Sequence, residues 1–188
     1  MRYEEVDGRH FVLIDSNQKN IKLTHELDLE AINVDNYSET LDDNIELNGV
    51  GFLMALTGSS DINKYAINKF KEQFGENGSI RLITVAEMNA TAENIPKVGL
   101  FSHTDDFILL TEVARKYPKI HEITIKDRAH FEELIELTNQ DEDRIPLLVK
   151  DKRGVLEIIS SNNKAISKVE QGYKLVYLGK RITPSYNS

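Results

Sequence analysis

The sequence predicts an α/β protein: a parallel sheet in the first half, then a smaller α+β unit. Two observations carry this. Up to about Val85, near-continuous apolar strands alternate with amphipathic helical stretches, the pattern of a parallel sheet covered on both faces. From Val98, two strands alternating with two helices lead into three strands that follow one another closely, with turn residues between them.

The elements follow in order. Phe11-Val12-Leu13-Ile14 reads as a buried strand, and Ser16 to Leu27 as a helix with Ile21 and Leu23 among polar residues. Ala31 to Val34 is a second strand. Ser38 to Leu47 is a short helix in which Ser38 is placed to accept from the first-turn N–H groups and Leu41, Ile45 and Leu47 share a face. Val50 to Leu56 is a third strand. Asp61 to Phe74 carries Ile62, Tyr65, Ala66, Lys69, Phe70 and Phe74 at helical spacing, with Gly75 as its expected stop. Ile80 to Val85 is a fourth strand, and a single parallel sheet of at least four strands is the expectation.

The pattern pauses over Glu87 to Pro96, which divides the chain into expected domains at 1–90 and 91–188. The second begins with a strand at Val98 to Phe101 and a helix from Asp106 to about Lys116, closed by Pro118. Ile120 to Ile125 alternates as a half-buried strand, and Ala129 to Leu137 is a short helix. Pro146 to Lys150 and Val155 to Ile159 form a hairpin around Asp151-Lys152-Arg153-Gly154, and Gln171-Gly172 turns the chain into a last strand, Lys174 to Leu178.

Bulk chemistry narrows the function. The net charge is -8, so phosphate backbones are repelled and nucleic acid is not an expected partner. The chain has no cysteine, which excludes disulfides, thiolate nucleophiles and cysteine metal sites. No polybasic stretch suits a membrane surface, Met1 to Val6 lacks the apolar core of a signal peptide, and no apolar run approaches the about 20 residues a bilayer requires.

The candidate binding residues lie at the carboxyl ends of the strands. Asp15, Ser16 and Asn17 follow the first, Asp35 and Asn36 the second, and Thr57 with Gly58 the third. In a doubly wound sheet such ends line one crevice, and an acidic residue at the end of the second strand accepts hydrogen bonds from an adenosine ribose. As plain turn and cap chemistry, the same residue types need no ligand. No Gly-x-Gly-x-x-Gly and no P-loop occurs, and Asp15 stands too near Met1 for a glycine turn about 20 residues earlier. The reading is therefore a partial Rossmann-like sheet whose first βα unit is missing, with no cofactor expected beyond a residual site for NAD or another nucleotide.

The stretches Val12-Leu-Ile-Asp-Ser-Asn-Gln-Lys-Asn, Ala31-Ile-Asn-Val-Asp-Asn and Leu53-Met-Ala-Leu-Thr, with Asn63 six residues after Thr57, resemble the RCK family, the NAD-binding domains of TrkA and related potassium transporters. More closely they are similar to the tail of bacterial sodium/proton antiporters. Ile145-Pro-Leu-Leu-Val-Lys-Asp-Lys-Arg-Gly-Val-Leu and Val169-Glu-Gln-Gly-Tyr-Lys-Leu-Val-Tyr-Leu are similar to the strands that close such tails. The resemblance implies a non-catalytic regulatory region at the cytoplasmic face of the inner membrane, linked to a transmembrane antiporter domain of the same polypeptide and paired as a homodimer. The helix Asp61 to Phe74, with Tyr65, Phe70 and Phe74, is the first candidate for the contact, the alternative being that all three aromatics pack on their own sheet. Two positions depart from the family pattern: Ser60, where an Asp is usual, and Tyr173, where the turn glycine is usually followed by Asp. A soluble TrkA-type subunit of a potassium transporter and a fragment of a nucleotide-dependent enzyme are the alternatives.

Nothing else points to chemistry. The histidines His10, His25, His103, His121 and His130 have no metal-site spacing, and His103-Thr-Asp105-Asp106 reads as a helix cap. Ser59-Ser60 lacks a nucleophile elbow, and Asp42-Asp43 and Asp141-Glu142-Asp143 read as solvated polar segments. No catalytic and no metal-ligating residue is expected.

Overall fold

A computed structural model of the chain describes residues 12–33, 52–84, 87, 99, 107–160 and 168–183. The elements are β1 (Val12–Asp15), α1 (Gln18–Glu26), β2 (Glu30–Asn33), β3 (Leu53–Ala55), α2 (Ser60–Gly78), β4 (Ser79–Arg81), α3 (Phe107–Lys116), β5 (Ile120–Thr124), α4 (Arg128–Asn139), β6 (Arg144–Lys150), β7 (Leu156–Ile158) and β8 (Lys174–Gly179). The expected helix Ser38 to Leu47 lies outside the described residues, as does the strand Val98 to Phe101 except for Gly99.

The chain is α/β, with the parallel strands first and the antiparallel ones last. The described first-half strands are parallel, as their apolar character predicts. Among the described residues they make two separate pairs, β1 with β2 and β3 with β4. The described residues thus show two parallel pairs where a single sheet of four strands is expected, with no ladder among them joining β1 or β2 to β3 or β4. Leu82 N–H extends the second pair by donating to the Ala55 carbonyl at 3.0 Å, and Arg81 makes an isolated parallel bridge with Gly99.

Helix α2 runs past Gly75 to Gly78, four residues beyond its expected end at Phe74. A glycine costs about 1 kcal/mol within a helix but does not end one unless the chain turns there. Of its aromatics, Phe70 is 4% exposed and packs on Ile14, Ile32 and Leu53, with Phe74 set edge-on to it at 6.5 Å. Phe70 therefore packs inward, against this chain's own strands, and Phe74 packs against Phe70.

The second half is a four-stranded antiparallel sheet in the order β5-β8-β6-β7. Strand β8 is central and buried on both faces. Leu175 and Tyr177 face α4 through Phe131 and Leu134, while Val176 and Leu178 join clusters on the other side. A register shift between Pro146 and Leu148 inserts one residue into β6 and re-phases its alternation. Ile145 thereby joins the cluster of Leu178, and Val149 joins that of Tyr177. Pro146 has no N–H to donate, and the register of β7 with β6 begins at Leu148, two residues beyond it.

Helix α3 joins the halves. Its Val113, 2% exposed, shares one cluster with Ile80 and Leu82 beside β4 and with Ile145 and Leu178 of the sheet. Phe107, at the start of α3, lies against Gly58 in the loop after β3, where a β-carbon would come within 3.0 Å of the ring. The core of the second half thus reaches across residue 90 to β4.

Candidate functional site

The sequence-predicted residues at the end of β1 are taken up by their own turn. The Asp15 carboxylate accepts from Asn17 N–H at 2.8 Å and from Asn20 Nδ2 at 2.6 Å. Asn17 caps α1, its Oδ1 accepting from Lys19 N–H at 3.0 Å. The Asn33 amide, at the end of β2, donates to the carbonyls of Asp15 and Ser16 at 3.1 Å each. These bonds tie the β1 and β2 ends together, and both oxygens of Asp15 already hold donors that a ribose would need to displace. The Ser16 side chain is exposed. Asp35 and Asn36 lie outside the described residues.

At the end of β3 the structure builds a clasp. Asn63, 2% exposed on the first turn of α2, turns its amide back to Thr57. Its Oδ1 accepts from Thr57 N–H at 3.0 Å and from Thr57 Oγ1 at 2.8 Å, and its Nδ2 donates to the Thr57 carbonyl at 2.9 Å. Thr57 Oγ1 also accepts from Ser59 N–H at 3.2 Å, and Ser59 Oγ caps α2 by accepting from Ile62 N–H at 3.4 Å. The six-residue separation in the sequence is thus a set of hydrogen bonds that fixes how strand passes into helix. No hydrogen bond among the described residues joins this clasp to Asp15.

A third group was not legible as a site. Arg81, 4% exposed, forks onto Glu87 with NH1 to Oε2 at 3.0 Å and NH2 to Oε1 at 2.9 Å. Glu87 also accepts from Thr84 N–H at 3.0 Å and pairs with Lys64 at 3.0 Å. Burial by itself pushes the Glu87 carboxyl up, but the bonds from Arg81, Thr84 and Lys64 outweigh it and hold the group far below the ordinary carboxylate range. The available signal was an arginine inside the apolar run Ile80-Arg81-Leu82-Ile83. A charge buried in a strand requires a partner, and Glu87 supplies it.

The arrangement offers satisfied polar turns and one buried ion pair. Among the described residues, no group of three or more His, Asp or Glu side chains is placed to hold a metal ion. Among them also, no helix is long and apolar enough to cross a membrane. A surface cavity of about 500 Å³, open to solvent, is lined by Ile21, Lys22 and His25 of α1 and by Asn33. No protein-family model and no curated protein matches the chain.

Proposed function

We propose that this chain is a non-catalytic regulatory domain of a bacterial monovalent cation/proton antiporter, acting on a transmembrane domain of the same polypeptide and working as a homodimer. The observation that carries the reading is the Thr57–Asn63 clasp. The pair at that spacing is part of the resemblance to antiporter tails, and the three bonds give the spacing a physical purpose. The parallel βαβ units and the closing hairpin at Asp151 to Gly154 support it further. Regulation requires that one part of the domain sense the state of another. The cluster of Ile80, Leu82, Val113, Ile145 and Leu178 is a packed connection through which a bias on the first half reaches the second.

The test is transport. Everted membrane vesicles are prepared from antiporter-deficient bacteria expressing the whole reading frame that contains these residues, and cation-driven proton exit is followed by a pH-sensitive dye. Exchange is expected, and deletion of residues 1–188 is expected to shift its half-saturating cation concentration or its pH dependence. A reading frame with no membrane-spanning segments, or vesicles inert to every alkali cation, refutes the proposal.

A further inference from the structure

We propose that Phe107 couples the β3–α2 turn to the sheet of the second half: its ring rests on Gly58 and carries a displacement of the Thr57–Asn63 clasp into α3. The coupling rests on the regulatory reading for its purpose, but it is tested without transport, so that either can fail alone.

Gly58 is a glycine that the backbone does not need. Residue type alone makes Thr57-Gly58-Ser59 an ordinary glycine turn. Gly154, Gly172 and Gly179 have φ of +88°, +88° and +122°, where other residues are strained, but Gly58 is not among the glycines at positive φ. What excludes a side chain there is the ring. A β-carbon on Gly58 would stand 3.0 Å from Phe107 Cδ1, 3.3 Å from Cε1 and 3.5 Å from Cγ. These three nearest atoms all belong to Phe107, so the position is glycine for the close approach of that ring.

The clasp holds Gly58 from both sides. Before it, the Thr57 N–H, Oγ1 and carbonyl are all bonded to Asn63. After it, Ser59 N–H donates to Thr57 Oγ1 at 3.2 Å, and the Ser59 carbonyl accepts from Asn63 N–H at 3.0 Å. Gly58 shifts only as these bonds give, and Phe107 lies against whatever position they fix.

Helix α3 then reaches the second half. It has ten residues and is about 15 Å long. Phe107, Leu110 and Val113 recur at helical spacing along one side. Val113 is buried in the cluster of Ile145 and Leu178, and Leu109 and Leu110 pack against that cluster. At the far end, Lys116 Nζ bonds both carboxylate oxygens of Asp143, the residue before β6, at 2.9 and 3.0 Å. One short helix thus touches the turn with its first residue and the second sheet with its middle and last. Phe107 is 39% exposed, so its hold on Gly58 opens without dismantling the core. A rigid element held at both ends passes a displacement from one to the other.

The experiment is a double-mutant cycle read by backbone hydrogen exchange on the intact chain. Thr57→Val loosens the clasp and Phe107→Ala removes the ring. Exchange at residues 111–116 of α3 is compared with that at residues 132–139 of α4, which reports general loss of stability. Thr57→Val is expected to speed α3 about fivefold more than α4, and without the ring that excess should fall below about twofold. Gly58→Ala should produce the same excess with the ring present and none without it. Where Phe107→Ala fails to fold, Phe107→Leu takes its place with the same outcomes. Three results overturn the proposal. The first is equal acceleration of α3 and α4 by Thr57→Val. The second is an excess that survives loss of the ring, which routes the coupling through β4. The third is a Gly58→Ala effect that does not depend on the ring, which returns the glycine to the turn alone.

Discussion

Replacing Asn63 by alanine tests the clasp directly. The substitution removes three hydrogen bonds, to the Thr57 N–H, Oγ1 and carbonyl. It leaves the Thr57 backbone groups without those partners in a site where Asn63 is almost wholly enclosed. At about 1 kcal/mol per bond the loss is about 3 kcal/mol. Thr57→Val removes the hydroxyl alone, with its bonds to Asn63 and from Ser59, and costs about 1–2 kcal/mol. The two changes share one bond, so the double variant should fall short of the sum by about 1 kcal/mol. Urea unfolding followed by circular dichroism measures all three, with the slope against denaturant checked for constancy. A loss under 1 kcal/mol for Asn63→Ala, or strict additivity in the double variant, refutes the view that these bonds hold the β3–α2 junction.

Four other outcomes follow from the structure. Gly179→Ala should cost about 3 kcal/mol in the same assay, because φ is +122° and an added methyl group would run into the Asp143 carbonyl; a loss near zero contradicts this. Glu87 is held below its unfolded pKa, so its contribution is complete above about pH 4.3 and is lost as pH falls toward the folded pKa. The stability gap between the wild type and Glu87→Gln should therefore narrow as pH drops from about 5 to about 3, and a gap independent of pH removes the argument. Calorimetric titration should find weak or no binding of NAD, ATP or cyclic dinucleotides, since Asp15 is already engaged and no glycine turn offers phosphate donors; micromolar affinity for any of them contradicts this. Light scattering coupled to size exclusion at low micromolar concentration should show a dimer, and a single species near the 21.4 kDa chain mass refutes it.

Local chemistry made the elements legible. Apolar runs of strand length and helical periodicity report burial within a few residues, which is why β1, α2, β6 and β8 stand close to where the sequence places them. The turn at Gly154 and that at Gly172, both at φ +88°, were equally local, since positive φ selects glycine. Part of the candidate site was legible for the same reason: Asp15, Asn17 and Thr57 do lie at strand ends, and residue type alone favours turns there. What the sequence could not determine is where those side chains spend their hydrogen bonds. That Asp15 turns to Asn17 and Asn20, and Thr57 to Asn63, depends on the path of the backbone after each strand. Pairing was equally non-local. Nothing along the chain says that, among the described residues, β1 pairs with β2 and β3 with β4, because ladder partners are chosen by crossovers and by the face each helix occupies. The fork of Arg81 onto Glu87, and the sharing of Val113 between β4 and the second sheet, exist only once distant segments meet, since a buried charge and an apolar face are each satisfied by neighbours in space.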